Sequence, residues 1–159
     1  MKRIYYYETI IGTIGIADEN YAITNLYFGE RAEHQGICIE ESALIKEAVH
    51  QLIDYFSGKR KIFDLPLAPK GTDFQKKVWA VLCTIPYGET MSYGEVAETI
   101  GNPKAARAVG MANNKNPIPI FIPCHRVIGA NGKLIGYASG LHIKESLLNL
   151  ERNYKYYQK

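Results

Sequence analysis

Position 124 is a cysteine in the run PCHRV, beside His125 and Arg126. A thiolate is a far better nucleophile than a thiol, and it forms at lower pH near cationic or proton-accepting groups. The run therefore holds a sulfur, a base and a fixed positive charge side by side. The approach to it, NPIPIFIPCHRVI, carries Pro117, Pro119 and Pro123. Prolines so closely spaced block a helix and predict an extended, stiff path through the cysteine. Neighbours on an extended path point to opposite sides, so His125 need not touch Cys124 and can act through a water. A histidine base of this kind needs a third group to orient it, and Glu151, near the end of the last helix, is a candidate. The Cys-His pair alone does not separate this arrangement from a structural cysteine beside a surface histidine.

The elements that must hold these residues follow from periodicity and punctuation. Residues 3–29 alternate, are rich in Tyr, Ile and Thr, and break at Gly12, at Asp18-Glu19-Asn20 and at Gly29. They predict three antiparallel strands, at about 3–10, 13–17 and 21–28. Residues 41–57 place Leu44, Ile45, Val49, Leu52, Ile53 and Phe56 at helical spacing, ended by Ser57-Gly58. KRKIFDLPLAPKG then predicts a strand followed by a linker. Thr72-Asp73 can cap a helix carrying Phe74, Val78, Trp79, Val81 and Leu82, with Phe74 and Trp79 in the core and Cys83 buried and inert. Ser92 caps a short helix, Tyr93 to Ile100, and Gly101-Asn102 makes a tight turn. Pro103 suits the first position of another helix, Lys104 to about Asn113. Two short helices joined by a glycine turn form the helix-turn-helix pattern. Asn131-Gly132 predicts a hairpin turn, and a last helix follows Gly140, with the polar tail from Glu151 frayed. The expected fold is α+β. A small N-terminal antiparallel sheet with a helix (residues 1–66) supports a mostly helical C-terminal domain (residues 67–159) that contains the helix-turn-helix and the PCHRV segment.

Composition narrows the function classes. The chain has 159 residues, 47% hydrophobic and 22% charged, which fits a globular protein with a real core. No apolar run approaches the ~20 residues of a membrane span. Tyrosines and Glu8 occupy the place of a signal peptide's apolar region, arguing against secretion. Cys38, Cys83 and Cys124 are an odd, widely spaced set without CxxC, which argues against disulfides and fits a reducing, cytoplasmic compartment. His34 precedes Cys38 by four residues but has no further ligands near it, so no metal or other cofactor is expected. Residues 1–70 hold 8 Lys/Arg against 10 Asp/Glu, and residues 71–159 hold 11 against 6. The second half is the partner for a polyanion.

From about Thr72 to Glu151, roughly half the chain, the sequence resembles the O6-alkylguanine-DNA alkyltransferases, also called methylated-DNA–protein-cysteine methyltransferases. SYGEVA, KAARAVG and IPCHRVI, in this order and spacing, carry the resemblance. The N-terminal third matches only in general layout. The resemblance implies stoichiometric repair of alkylated guanine in double-stranded DNA, with base flipping, by a monomer. The resemblance leaves O4-alkylthymine open as a second substrate. It makes Cys124 similar to the alkyl acceptor, His125 to the base acting through a water, and Glu151 to the carboxylate holding that histidine. Asn116 resembles the asparagine that fixes the turn before the active-site segment and reaches that water. Tyr93 resembles the tyrosine that donates a proton to the leaving guanine, and Arg107 the arginine that replaces the extruded base. Ala105, Ala106, Ala108 and Gly110 resemble the small residues of the DNA-facing helix, with Lys104 and Arg126 beside them on the DNA. Val127, Tyr137 and Ser139, with Tyr93, resemble pocket-wall residues. Asn114 and Ala138 depart from the common pattern, in the loop and in the pocket respectively.

Rival readings meet specific obstacles. Non-catalytic lesion-binding relatives lack the acceptor cysteine that stands here at position 124. A helix-turn-helix regulator has no use for a proline-locked PCHRV segment. A cysteine hydrolase needs a glycine-rich oxyanion loop, and IPCHRVI offers none.

Overall fold

The computed structural model describes residues 1–30, 35–132 and 140–155. It divides into two compact units, residues 1–70 and residues 71 onward. His34, Tyr137, Ala138 and Ser139 lie outside the described residues.

In the first unit the alternating segments form β1 (Lys2–Thr9), β2 (Gly12–Glu19) and β3 (Ala22–Phe28), paired antiparallel in sequence order. The β2–β3 turn places Asn20 and Tyr21 at φ 52° and 64°, the geometry whose twist suits a two-residue hairpin. A fourth strand, β4 (Ile37–Ile39), runs parallel to β1 on its free side, giving the order β3-β2-β1-β4. Three residues are too few to show alternation, so periodicity did not reveal this strand. Helix α1 (Ala43–Phe56) starts at Ser42, whose hydroxyl accepts from Ile45 N and donates to the buried Asp18 at 2.5 Å. Its apolar face, with Ile45, Ala48, Val49 and Leu52, is buried with Ile4, Ile14, Ile16 and Ile23 of the sheet.

The strand expected within KRKIFDLPLAPKG does not form. Only Leu67 makes an isolated bridge to Ile23, flanked by Ile23 N–Pro66 O and Ala68 N–Ile23 O bonds of 2.8 Å. Pro66 and Pro69 have no amide hydrogens with which to extend the ladder. The bridge keeps residues 67–70 with the first unit, so the boundary falls after Lys70 rather than after Pro66.

In the second unit, α2 (Asp73–Leu82) and α3 (Tyr93–Thr99) both open with capping boxes, Thr72/Gln75 and Ser92/Glu95. Trp79 is buried and donates its indole N–H to Ala112 O at 2.9 Å, whereas Phe74 is only half-buried. Helix α4 (Ala106–Asn114) starts later than expected: Pro103 and Lys104 sit in a turn closed by Ala105 N–Asn102 O. The path through the cysteine also differs. Cys124–Arg126 is a turn of 3₁₀ helix, with Arg126 N bonded to Pro123 O, so the prolines impose extension only as far as Pro123. Strand β6 (Val127–Ile128) follows and pairs in parallel with β5 (Met91–Ser92). A turn closes from Gly132 N to Gly129 O, but the hairpin expected beyond it lies outside the described residues. Helix α5 (Leu141–Tyr154) continues through the residues expected to fray. No described helix is long and apolar enough to cross a membrane.

Candidate active site

The backbone around Cys124 is fixed from both sides. Before it, residues 116–122 form a turn held by Asn116, whose Nδ2 donates to Ile122 O at 2.8 Å and whose Oδ1 accepts from Ile118 N at 2.9 Å. Both ends of that amide are thus committed to the turn, the first of the two jobs expected of Asn116. Ile120, buried within the turn, has φ 73°, a strained conformation for a β-branched residue. After the cysteine, the β5–β6 ladder pairs Met91 with Val127 and Ser92 with Ile128. It brings the first residue of α3, Tyr93, beside the cysteine turn. The Cys124 carbonyl accepts from Asn113 Nδ2 of α4 at 3.3 Å.

His125, Arg126 and Glu151 form one buried cluster. His125 Nε2 lies 2.6 Å from Glu151 Oε2. Arg126 Nε donates to Glu151 Oε1 at 2.8 Å, its Nη2 to Oε2 at 3.0 Å, and its Nη1 to Ile85 O at 2.7 Å. Gly88 N donates to Oε1 at 3.0 Å. Burial pushes the Glu151 carboxyl up, but the hydrogen bonds and charges of His125 and Arg126 outweigh it and hold the group well below the usual carboxylate range. The permanent charge of Arg126 alone favours that ionisation. For His125, burial lowers the pKa, against the pull of Glu151 and with the help of Arg126 and Lys144. A neutral imidazole then donates from Nε2 to Glu151, which leaves Nδ1 as a proton acceptor. That Nδ1 is buried and has no hydrogen-bond partner among the described residues.

Arg126 therefore corrects an expectation. It was assigned to the DNA contact, yet its guanidinium is turned inward and spent on Glu151 and Ile85. Cys83, expected buried, is exposed at the end of α2.

Two further groups act electrostatically on the buried Cys124. Burial raises the Tyr93 phenol pKa, and a negative sulfur at Cys124 raises it further, so the phenol keeps its proton. Lys144 of α5 has no exposed surface, and its Nζ lies 6.0 Å from the centre of the Tyr93 ring. Burial lowers its pKa to about 8, and the Cys124 charge pulls the other way. By reciprocity the ammonium favours the thiolate. Sequence reasoning missed Lys144. Its signal was positional, because 144, 147, 148 and 151 share one helix face, and that face is buried.

On α4, Lys104 before it, Arg107 and Ala108 are exposed, whereas Ala105 and Ala106 are half-buried. A Cβ built on Gly110 would lie 3.7 Å from the Tyr93 ring, so this small residue faces the tyrosine. Asn113 of α4 is buried, as is Val127 of β6.

Two family descriptions match the chain: "6-O-methylguanine DNA methyltransferase, ribonuclease-like domain" over residues 2–69, and "6-O-methylguanine DNA methyltransferase, DNA binding domain" over residues 73–153. A methylated-DNA–protein-cysteine methyltransferase of Methanosarcina barkeri is 56% identical, over 93% of this chain and 98% of that protein. The constitutive one of Bacillus subtilis is 49% identical, over 91% and 92%. The crystal structure of Mycobacterium tuberculosis OGT in complex with DNA superposes with a TM-score of 0.90 at 47% identity, covering 96% of this chain and 94% of that one. With both units matched and Cys124 next in the chain to the buried His125–Glu151 pair, the chain belongs to the 6-O-methylguanine DNA methyltransferase family.

Proposed function

We propose that the protein repairs O6-alkylguanine in duplex DNA by moving the alkyl group onto Cys124, one group per molecule. The observation that carries this reading is the buried His125–Glu151 pair next to the buried Cys124, in which the histidine has one nitrogen held and the other open to accept a proton.

The reaction is an in-line displacement. A water relays the thiol proton to His125 Nδ1, Glu151 stabilises the imidazolium that forms, and Lys144 favours the thiolate. The sulfur attacks the alkyl carbon, the C–S bond forms, and the bond to the guanine oxygen breaks. Tyr93 gives its proton to the guanine ring, which leaves as a neutral base. The proton lost by Tyr93 balances the one gained by His125. The product is a thioether that nothing in this site cleaves, so each molecule acts once.

The target oxygen is stacked inside the duplex, and flipping the base out costs a few kcal/mol. Arg107, exposed on α4, fills the gap, while Lys104 and the small Ala105, Ala106 and Ala108 let the helix approach the backbone. The protein works as a monomer wherever the DNA is, in a reducing compartment.

Mass spectrometry after incubation with a duplex carrying O6-methylguanine tests the reading. One methyl group is expected on Cys124 without added metal or cofactor, and none in Cys124→Ala. A methyl group elsewhere, or one that turns over, overturns it.

A further inference from the structure

Two buried polar atoms beside Cys124 have no hydrogen-bond partner among the described residues: His125 Nδ1 and Asn113 Oδ1. The first belongs to the relay proposed above. The second has been given no role, although a buried acceptor left unpaired destabilises a fold. Asn113 is 2% exposed on α4, and its Nδ2 donates to the Cys124 carbonyl at 3.3 Å. That bond settles the orientation of the amide, because a flipped side chain would set its oxygen against the carbonyl oxygen. The oxygen is therefore held inside, on a residue that touches the nucleophile's own backbone. Asn116, the asparagine expected at the water, has both amide ends engaged in the turn.

We propose that Asn113 is a positioning residue for alkyl transfer, its Oδ1 holding one hydrogen of the water that carries the Cys124 proton to His125 Nδ1. This rests on the relay reading and completes its hydrogen bonding. At rest the Cys124 S–H donates to the water oxygen, and the water donates one hydrogen to His125 Nδ1 and the other to Asn113 Oδ1. In the transfer the S–H bond breaks as a new O–H bond forms on the water. The hydrogen that the water gave to Nδ1 becomes an N–H bond. The third hydrogen stays bonded to the water and donated to Asn113 Oδ1 throughout. The water keeps three partners in both states and needs no turning as the proton passes, which is electrostatic preorganisation at the scale of one solvent molecule.

The test is the rate at which Cys124 is alkylated by O6-benzylguanine free base, followed against pH by intact mass, in wild type, Asn113→Leu, Asn113→Ser and His125→Ala. Asn113→Leu is expected to slow the reaction about tenfold at neutral pH and to move the midpoint of the rate–pH curve up by about one unit. The gap closes at high pH, where the thiol ionises without a relay. Asn113→Ser keeps an oxygen and falls between, and it carries the test if the leucine variant does not fold. Asn113→Leu added to His125→Ala costs nothing further, because the two act through one water. Equal losses at every pH, no loss, or additive losses overturn the role of Asn113. A His125→Ala profile identical to wild type sinks the relay itself, whatever Asn113 does.

Discussion

At the scale of residues, several donors converge on the carboxylate of Glu151, among them His125 Nε2, Arg126 Nε and Nη2, and the Gly88 amide. Its pKa is depressed in the fold, so the unfolded chain binds more protons through the ordinary carboxylate range. Stability from Glu151 is therefore full above that range and lost as pH falls through it and below. The lowered pKa of His125 acts in the same direction below pH ~6.5. Thermal melts of Glu151→Gln should be lower than wild type at neutral pH and should lose much of their dependence on acid; an unchanged acid slope would contradict this. Arg126→Met strands a buried carboxylate and should cost about 3–5 kcal/mol in denaturant unfolding. Ordinary stability with weakened DNA binding would restore Arg126 to the DNA surface. Lys144, with its pKa lowered to about 8, loses its charge as pH rises through that value, and the alkylation rate should show a break there that Lys144→Met lacks. Cys124 and His125 drew notice by residue type, and the family resemblance, not spacing, tied Glu151 to them. The inward turn of Arg126 and Lys144 was not legible, because nothing in PCHRV or in an isolated helix says that a cation points inward until its partners arrive.

At the scale of elements, the site depends on how α3 and α4 begin. Ser92 closes a capping box one residue before Tyr93, so Ser92→Ala should cost about 1 kcal/mol of stability and slow repair by loosening the tyrosine. Gly110 faces the Tyr93 ring at a distance an added methyl can share. Gly110→Ala should therefore keep the activity on free O6-benzylguanine, and a tenfold loss would reveal a tighter fit. Arg107→Ala should weaken repair of duplex DNA far more than reaction with the free base, since only the duplex needs a base flipped; equal losses would remove that role. The helices were readable from caps and apolar spacing. Three local details were not. β4 takes its pairing from β1 rather than from its own three residues. Pro103 is drawn into the Asn102–Ala105 turn instead of opening α4. The prolines before Cys124 govern the approach and not the turn that follows. In each case a bond to a distant or adjoining segment overrode a local preference.

At the scale of the whole molecule, the Lys/Arg excess of residues 71–159 over a slightly acidic first part marks where a polyanion is met. Few long polar side chains are exposed on α4, which supports a contact made with the backbone rather than with base edges. Binding of undamaged duplex, read by anisotropy, should vary little with sequence and weaken linearly in log–log salt plots, each neutralised phosphate adding about −0.9 to the slope. Lys104→Ala should make that slope shallower by about one. Strong sequence preference would argue for base readout instead. The chain also carries a single tryptophan among twelve tyrosines. Trp79 donates its indole N–H to Ala112 on the helix that bears Arg107. Excited to the red of the tyrosines, that indole is a native fluorophore tethered to α4. Its emission can follow the helix through DNA capture and release in real time, with no dye attached.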